Sequence, residues 1–313
     1  MVDDVDWYWG MGLLRSLRLL RRRRIDVLVL EWWTGSVLHT YLVLALATRL
    51  RGSHVVVEFH EVLDTAEARL GPVRWYVTLV APTLFRLASG FVVHNEHDRQ
   101  LLRQRYKLPD ERTAVIPFPS YDAHGPIAPH QSSDGKCRLL FFGTVRPYKG
   151  VEDLVVAFER LVGEGRDEFE LTIVGETWEG WTLPDRLIEA SPVGDRIRRI
   201  DRFVTDAEAA ALFSEADVVV LPYRRCSSSA NLGTTMALGL PVVTTRVGGL
   251  PEATAGYGGA VLAEAGDPDS LREAILIAVG LRGRHFTGPV TWEDAGARYG
   301  EFLDAVKHGR SNC

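Results

Sequence analysis

Cysteine is scarce in this sequence, and the three that occur, Cys137, Cys226 and Cys313, are far apart. Disulfide frameworks and structural zinc sites need several cysteines at short spacing, so neither is expected, and a reducing cytoplasm suits the chain. Long apolar runs are absent too. The longest, around residues 41–47, is far shorter than the roughly 20 residues of a membrane-spanning helix. No signal-peptide pattern opens the chain, so we expect neither export nor a membrane span.

A basic excess is also lacking, since the formal net charge is −5 and the isoelectric point is near 6.0. Domains that bind nucleic acid usually carry a strong positive charge, so we expect no nucleic-acid partner. No P-loop pattern occurs, which leaves nucleotide hydrolysis unsupported. What is present is 313 residues with 46% apolar and 25% charged content, the balance of a globular protein with sizeable cores.

Short β-branched runs alternate with helical patterns along the chain, in two series of four. They occupy residues 25–30, 54–59, 90–94, 113–117, 138–143, 170–175, 217–222 and 240–245. Such near-continuous apolar runs are typical of parallel strands covered on both faces. Between the two series, residues 118–136 are rich in Pro, Gly, Ser and His and predict a linker. The predicted fold class is therefore α/β, with two doubly wound, Rossmann-like domains facing a cleft.

We place the first domain at residues 1–125 and the second at 135–290, with a C-terminal helix over 291–313 that packs back toward the first domain. Ligands of such sheets bind beyond the carboxyl ends of the strands. After the strand at 138–143 come Arg146 and Lys149, two cations next to a helix start, which suit an anionic phosphate group. A solvated basic turn is the alternative.

A serine-rich loop follows the strand at 217–222 and precedes the next helix. Ser228, Ser229 or Asn231 can cap that helix, and small side chains leave its first N–H groups accessible to a diphosphate or a sugar hydroxyl. A capped helix without a ligand is the alternative. In the stretch HNEH, residues 94–97, no third ligand stands at metal-site spacing, so it predicts a capped helix start and not a metal site.

The basic stretch at residues 15–24 predicts an amphipathic helix. Its leucines, Leu13, Leu14, Leu17 and Leu20, share one face and its arginines the other. Two interpretations stay open: a surface helix whose leucines pack on the protein, and a helix whose arginines attract an anionic membrane surface.

Eight blocks of the chain, in order, resemble the retaining glycosyltransferases of family 4, group 1, which have the two-domain GT-B fold and take sugars from nucleotide diphosphates. The blocks are VVVEFHE, GFVVHNEHDRQLL, TAVIPFPSYD, RLLFFGTVRPYKGVEDLVVAFERL, LTIVGE, VTDAEAAALFSEADVVVLPYR, MALGLPVVTTRVGGLPE and TWEDAGARYGEFLDAV. The resemblance implies that the first domain serves the acceptor and the second binds the donor.

The resemblance also implies site residues and roles. As catalytic residues it implies His60, which would face the transferred sugar, and Arg146 and Lys149, which would hold the donor diphosphate. By itself, a histidine at a strand end is more often structural. The donor-binding residues it implies are Gly143, Thr144, Val204, Asp206, Ser228, Ser229, Ala230, Asn231, Leu232, Gly233 and Thr234. No metal and no other cofactor is implied.

The chain departs from the family at three places. Cys226 and Thr234 stand where the family usually has two glutamates, and Thr144 stands where it commonly has an arginine, for which we expect Arg146 to substitute. The usual opening strand and glycine-rich loop are lacking. We therefore expect either an upstream start or a shortened, incomplete first domain.

The expected function is retaining transfer of a hexose from a GDP- or UDP-linked donor to a hydroxyl acceptor, such as a lipid-linked glycan, a polysaccharide or a small molecule. The expected place is the cytoplasm, with peripheral binding at the inner face of the membrane through residues 15–24. The alternatives are a nucleotide-sugar epimerase of GT-B fold and a catalytically weak partner subunit of a glycan-synthesis complex.

Overall fold

The computed structural model describes residues 11–62, 71–118, 134–288 and 292–309. The opening residues, most of the predicted linker and Cys313 lie outside this part. The first elements in chain order are α1 (Met11–Arg22), β1 (Val27–Trp32), α2 (Leu38–Arg49), β2 (His54–Phe59), α3 (Gly71–Leu87), β3 (Gly90–Val93), α4 (Glu96–Tyr106) and β4 (Thr113–Val115). Then come β5 (Cys137–Phe142), α5 (Val151–Gly163), β6 (Phe169–Val174), α6 (Leu183–Ala190), β7 (Ile197–Ile200), α7 (Asp206–Glu215), β8 (Val218–Leu221), α8 (Ala230–Ala237), β9 (Val242–Thr245), α9 (Leu250–Ala253), β10 (Ala260–Ala263), α10 (Pro268–Val279) and α11 (Trp292–Lys307).

The chain divides into two compact units, one of Met1–Pro117 with Glu293–Cys313, the other of Phe118–Trp292. In the first unit, β1 to β4 form a parallel sheet in the order β1-β2-β3-β4. In the second, six parallel strands have the order β10-β9-β8-β5-β6-β7. The predicted α/β class with two parallel sheets is confirmed.

Alternate residues of each strand in the first sheet face two different cores. On one face, Val57 and Phe59 of β2 pack with Leu84 of α3 and with α1 and α2. On the other, Val56 packs with Phe302 of α11. The last helix of the chain therefore completes the first unit, because it covers the face that the crossover helices leave bare.

Helix α1 uses only part of its leucine set for packing. Leu13 and Leu20 are buried in the first core and Leu17 packs beside them, whereas Leu14 is 48% exposed. The apolar face predicted from all four leucines is therefore wider than the surface that packs, because the helix contacts its neighbours only along a narrower stripe. The arginines from Arg15 to Arg22 face solvent. Among the described residues, no helix combines the length and apolar character needed to cross a membrane.

In the second sheet the strand order reverses at β5, which lies between β6 and β8. The carboxyl ends of strands next to such a reversal are the usual place for a ligand, since adjacent loops diverge there and leave a crevice. Helix α5 buries the predicted apolar stripe, including Val151, Leu154 and Phe158, against this sheet. The sheet also has two edge strands, β7 and β10, that the apolar runs did not predict.

Candidate functional site

A cavity of about 460 Å³ opens at the carboxyl ends of β5 and β6, within the second unit. Seven of the residues predicted to bind the donor line it: Gly143, Thr144, Val204, Asp206, Ala230, Asn231 and Thr234. They come from the loop after β5, the segment that leads from β7 into the first residue of α7, and the first turns of α8. The fold thus brings together segments that are up to 91 positions apart, from 143 to 234.

Close backbone approach shapes the floor of this cavity. Gly143 has φ +129°, and a Cβ there would lie 2.5 Å from Nδ2 of Asn231. That amide donates a hydrogen bond to the carbonyl oxygen of Phe142 at 2.7 Å. Next to it, a Cβ on Gly175 would lie 2.1 Å from the carbonyl oxygen of Gly143. The loop after β5 therefore depends on glycine to meet both α8 and the end of β6.

The serine-rich loop ends in a helix cap. Oγ of Ser229 accepts a hydrogen bond from the backbone N–H of Leu232 at 3.2 Å. Of the three predicted capping residues, Ser229 is therefore the one that caps. Ser228 and Gly233 lie in the same loop and first turn, and the first N–H groups of α8 have no partner inside the helix. This end of the helix favours a negative charge.

Two basic side chains in the segment after β5 lack a carboxylate partner among the described residues. The guanidinium carbon of Arg146 lies 4.2 Å from the ring centre of Trp178, and its Nε is buried without a hydrogen-bond partner there. Lys149 has its ammonium 3.8 Å from the ring centre of Tyr223. Burial alone lowers the pKa of Lys149, but Tyr223, Tyr148 and Cys226 outweigh it and raise that pKa, so the side chain is cationic at neutral pH.

The nearby Arg224 provides a contrast, because its charge is already neutralised. It donates two hydrogen bonds to the carboxylate of Asp153, at 2.8 and 2.6 Å, and a third to Glu152 at 2.6 Å. A buried or half-buried cation without such a partner is costly unless an anion binds to it. Arg146 and Lys149, which have no such partner among the described residues, are therefore suited to hold an external anion.

The segment before α7 forms another side of the cavity, where the apolar side chains of Phe203 and Val204 stand beside Arg202. Val204 lines it next to Phe203, which is 75% exposed. Thr205 caps α7, with its Oγ accepting from the N–H of Glu208 while the Glu208 carboxylate accepts from the N–H of Thr205. This reciprocal cap fixes the backbone at Thr205, and therefore the positions of its two neighbours, Val204 and Asp206.

Some cavity residues were not among the predictions. Glu176 stands two residues after the end of β6 and contributes a carboxylate, which accepts a hydrogen bond from Nε1 of Trp178 at 3.2 Å. Its place after a predicted strand was a usable signal. Phe203 precedes α7 and follows the unpredicted strand β7, so no predicted strand end pointed to it. Ser228, Ser229, Leu232 and Gly233 are not part of the cavity wall itself.

His60 lies in the first unit, one residue after β2. Its ring is stacked on Trp33, with ring centres 4.2 Å apart, and its side chain is 9% exposed. Burial, and secondarily the nearby His94, lowers the pKa of His60 to about 4. The ring is therefore neutral at pH 7.

The predicted cap of the HNEH stretch is confirmed, since Oδ1 of Asn95 accepts a hydrogen bond from the backbone N–H of Asp98 at 2.8 Å.

Two family models match the two halves of the chain. Residues 3–119 match the family described as "Glycosyl transferase 4-like domain", and residues 136–279 match "Glycosyl transferases group 1".

Only part of each curated relative aligns with this chain. A GDP-mannose:glycolipid 4-beta-D-mannosyltransferase of Xanthomonas campestris pv. campestris is 35% identical over 114 residues, which is 36% of this chain and 31% of that protein. A D-inositol 3-phosphate glycosyltransferase of Pseudarthrobacter chlorophenolicus is 37% identical over 120 residues, 38% of this chain and 29% of the relative. The aligned region thus spans less than a third of each of these relatives.

Solved structures share the fold over nearly the whole chain. Sucrose-phosphate synthase from Thermosynechococcus elongatus has a TM-score of 0.66 at 17% identity, covering 95% of this chain and 74% of that one. Anabaena Alr3699/HepE in complex with UDP has a TM-score of 0.68 at 16% identity, covering 97% and 79%. At such low identity these similarities show the fold alone.

Proposed function

Because this chain belongs to the family 4, group 1 glycosyltransferases, we propose that it transfers a sugar from a nucleotide diphosphate sugar to a hydroxyl acceptor. Transfer proceeds with retention at the anomeric carbon. The observation that carries the proposal is the pair Arg146 and Lys149, two cations without a carboxylate partner among the described residues, in the segment that also lines the cavity.

The donor diphosphate binds between these cations and the N-terminus of α8. Arg146, Lys149 and the first amides of α8 neutralise the charge that develops on the diphosphate as the bond to the sugar breaks. Electrostatic stabilisation of this kind often contributes more to the rate of an enzyme than any other effect. The departing phosphate oxygen, on the same face as the incoming hydroxyl, accepts that hydroxyl's proton, so no protein nucleophile and no metal take part in the transfer.

The nucleoside occupies the 460 Å³ cavity, with the base against Phe203 and the backbone of Val204. The ribose lies toward Thr234 and Glu176, whose oxygens can accept hydrogen bonds from its hydroxyls. Thr234 has a shorter side chain than the usual glutamate, and Glu176 supplies a carboxylate in the same wall. Both GDP and UDP sugars are donors to be tested; a curated relative is described as GDP-mannose-dependent and a solved neighbour contains UDP.

As the family resemblance implies, His60 is a catalytic residue, and its ring, neutral at pH 7, accepts a hydrogen bond from a hydroxyl of the transferred sugar. The acceptor is a hydroxyl compound such as a lipid-linked glycan. The leucines of α1 are largely used in the core, so the peripheral membrane contact we propose for this cytoplasmic enzyme rests on the exposed arginines Arg15 to Arg22. Such a contact is electrostatic and weakens with salt.

The test compares Lys149→Ala with Arg160→Ala. Arg160 is a surface cation already paired with Asp269, so its loss removes the same charge without touching the site. With radiolabelled GDP- and UDP-sugars and a panel of hydroxyl acceptors, Lys149→Ala should lower turnover about 10²-fold or more, the scale of one lost donor to a charged transition state. Arg160→Ala should match the wild type.

Three results would contradict the proposal. Unchanged turnover and nucleotide affinity in Lys149→Ala would remove the diphosphate assignment. Isomerisation of the donor sugar without an acceptor would identify an epimerase. Nucleotide-sugar binding without any transfer would identify a catalytically weak subunit.

A further inference from the structure

Three potential metal ligands converge at the carboxyl end of the first sheet. Glu58 and His60 stand two residues apart along the chain at the end of β2, so their side chains point to the same face. Glu58 is in register with Val92 of β3, which places His94 level with His60 on the neighbouring strand. Strand pairing thus brings one carboxylate and two imidazoles to one spot.

The side-chain distances fit a shared ion. One ligand atom from each of the three residues lies within 4.8 Å of the others, and Oε1 of Glu58 is 3.5 Å from Nε2 of His94. A tetrahedral Zn²⁺ with bonds of about 2.0–2.1 Å separates its ligands by about 3.4 Å. The Glu58–His94 pair already has that spacing, and the ligand atom of His60 lies within 4.8 Å of both.

Neighbouring groups orient two of these ligands. Nδ1 of His94 is 3.0 Å from the carbonyl oxygen of Ile116, and because a carbonyl only accepts, Nδ1 carries the proton. The other ring nitrogen, Nε2, faces the carboxylate of Glu58. The hydroxyl of Tyr299 on α11 donates to the same carboxylate. Histidines that bind metals commonly donate their second N–H to a carbonyl in this way.

The chemistry of the ligands selects the metal. Two imidazoles with one carboxylate suit Zn²⁺ and other divalent transition metals, whereas Mg²⁺ and Ca²⁺ prefer all-oxygen surroundings. All three side chains are nearly buried, with 4%, 9% and 11% exposure for His94, His60 and Glu58. Burial reduces competition from water for the metal bonds.

We propose that Glu58, His60 and His94 form a binding site for one divalent transition-metal ion, with Zn²⁺ as the best fit. The site goes beyond the proposed transfer reaction, in which no metal takes part. Because His60 is also the residue proposed to face the sugar, bound Zn²⁺ would occupy it and inhibit transfer. The alternative is a buried His94–Glu58 ion pair that binds no metal.

Metal binding is measured directly on the full chain after removal of metals with EDTA. Equilibrium dialysis against Zn²⁺ should give one ion per chain, and Co²⁺ should show the ligand-field absorption of a site with nitrogen ligands, displaced by Zn²⁺. Glu58→Gln and His94→Gln should both reduce uptake to background. Tyr299→Phe, which removes only an orienting contact, should weaken affinity by about 10- to 100-fold.

His97→Ala is the matched control, because this histidine belongs to the same HNEH stretch but is exposed to solvent and is not one of the three clustered ligands. It should keep full Zn²⁺ uptake. If circular dichroism shows that Glu58→Gln or His94→Gln does not fold, Zn²⁺ uptake is compared instead in His60→Ala and Tyr299→Phe, and these two variants decide. Absence of stoichiometric Zn²⁺ in the wild type, or uptake unchanged in the cluster variants, would overturn the proposal. Neither result depends on transferase activity.

Discussion

At the residue scale, the side chain of Ser229 has a structural role that does not require a ligand. Its Oγ caps α8 by accepting from the N–H of Leu232, and it also lies 3.4 Å from the hydroxyl of Tyr223. The ring of Tyr223 in turn supports the ammonium of Lys149. The serine hydroxyl therefore stabilises the site through contacts within the protein, while the backbone amides of the helix remain the groups that can bind a diphosphate.

We expect Ser229→Ala to lower the free energy of unfolding of the second unit by about 1 kcal/mol, the usual cost of a lost N-cap. Ser229→Asn should restore most of it, since asparagine is an equally good cap. Ser228→Ala, one residue earlier and outside the cap, is the control and should leave stability unchanged. Urea unfolding monitored by circular dichroism measures all three. Equal losses in Ser228→Ala and Ser229→Ala would argue against the cap as the cause.

At the scale of elements, the site depends on how closely three segments approach. The loop after β5 contacts the first turn of α8 through Gly143 and the end of β6 through Gly175. Gly150, with φ +63°, is the N-cap of α5 and follows Lys149 directly, and a Cβ there would lie 2.1 Å from the carbonyl oxygen of Pro222. Backbone fit, more than side-chain chemistry, therefore places the two cations.

Gly143→Ala should destabilise the second unit and weaken nucleotide binding, because its Cβ would meet Asn231 at 2.5 Å and its φ of +129° disfavours any side chain. Gly163→Ala is the opposite case: it lies in α5, and a Cβ there meets nothing within 4 Å. That substitution should stabilise by about 0.4–1 kcal/mol. Thermal unfolding with and without UDP or GDP measures both. A Gly143→Ala variant with wild-type stability and affinity would show that the loop is not constrained as described.

Sequence patterns were sufficient for central elements and insufficient for edges. Strands such as β5 and β8 are covered on both faces, so their apolar runs identify them. The edge strands β7 and β10 are half-exposed, and Arg198 and Arg199 within β7 conceal it from a search for apolar runs. Leu14 shows the same limit for helices, because periodicity gives the direction of a side chain and not the width of the surface it meets.

The site was predictable where ligand residues follow strands in the sequence. Gly143 and Thr144 follow β5 directly, and the strand-end rule is enough to find them. The cluster of Glu58 with His94 was not predictable, because the HNEH stretch gives no local third ligand. Only the register of β2 against β3 creates the pairing, and that register is a property of the folded sheet.

At the scale of the whole molecule, the first unit is discontinuous in sequence. Its sheet is formed by residues before Pro117, but one face is covered by α11, which follows the entire second unit. Phe302 is 3% exposed, and its ring would lie 2.7 Å from a Cβ on Gly90. The stability of the first unit therefore depends on the last helix of the chain, while the proposed nucleotide site belongs wholly to the second.

Hydrogen exchange measured by mass spectrometry should separate these two dependences in the intact chain. Phe302→Ala removes a buried aromatic ring, which typically costs about 3–5 kcal/mol, and should accelerate exchange in β1 to β4 while β5 to β10 stay protected. Saturating UDP or GDP should slow exchange in three segments: the one after β5, the one before α7 and the start of α8. This effect should be the same in the wild type and in Phe302→Ala. Binding at about 100 times the dissociation constant stabilises its unit by about 2.7 kcal/mol, and that gain should not reach β1 to β4. If Phe302→Ala instead labilised both sheets equally, the two units would unfold as one, and the stability of the nucleotide site would depend on α11 as well.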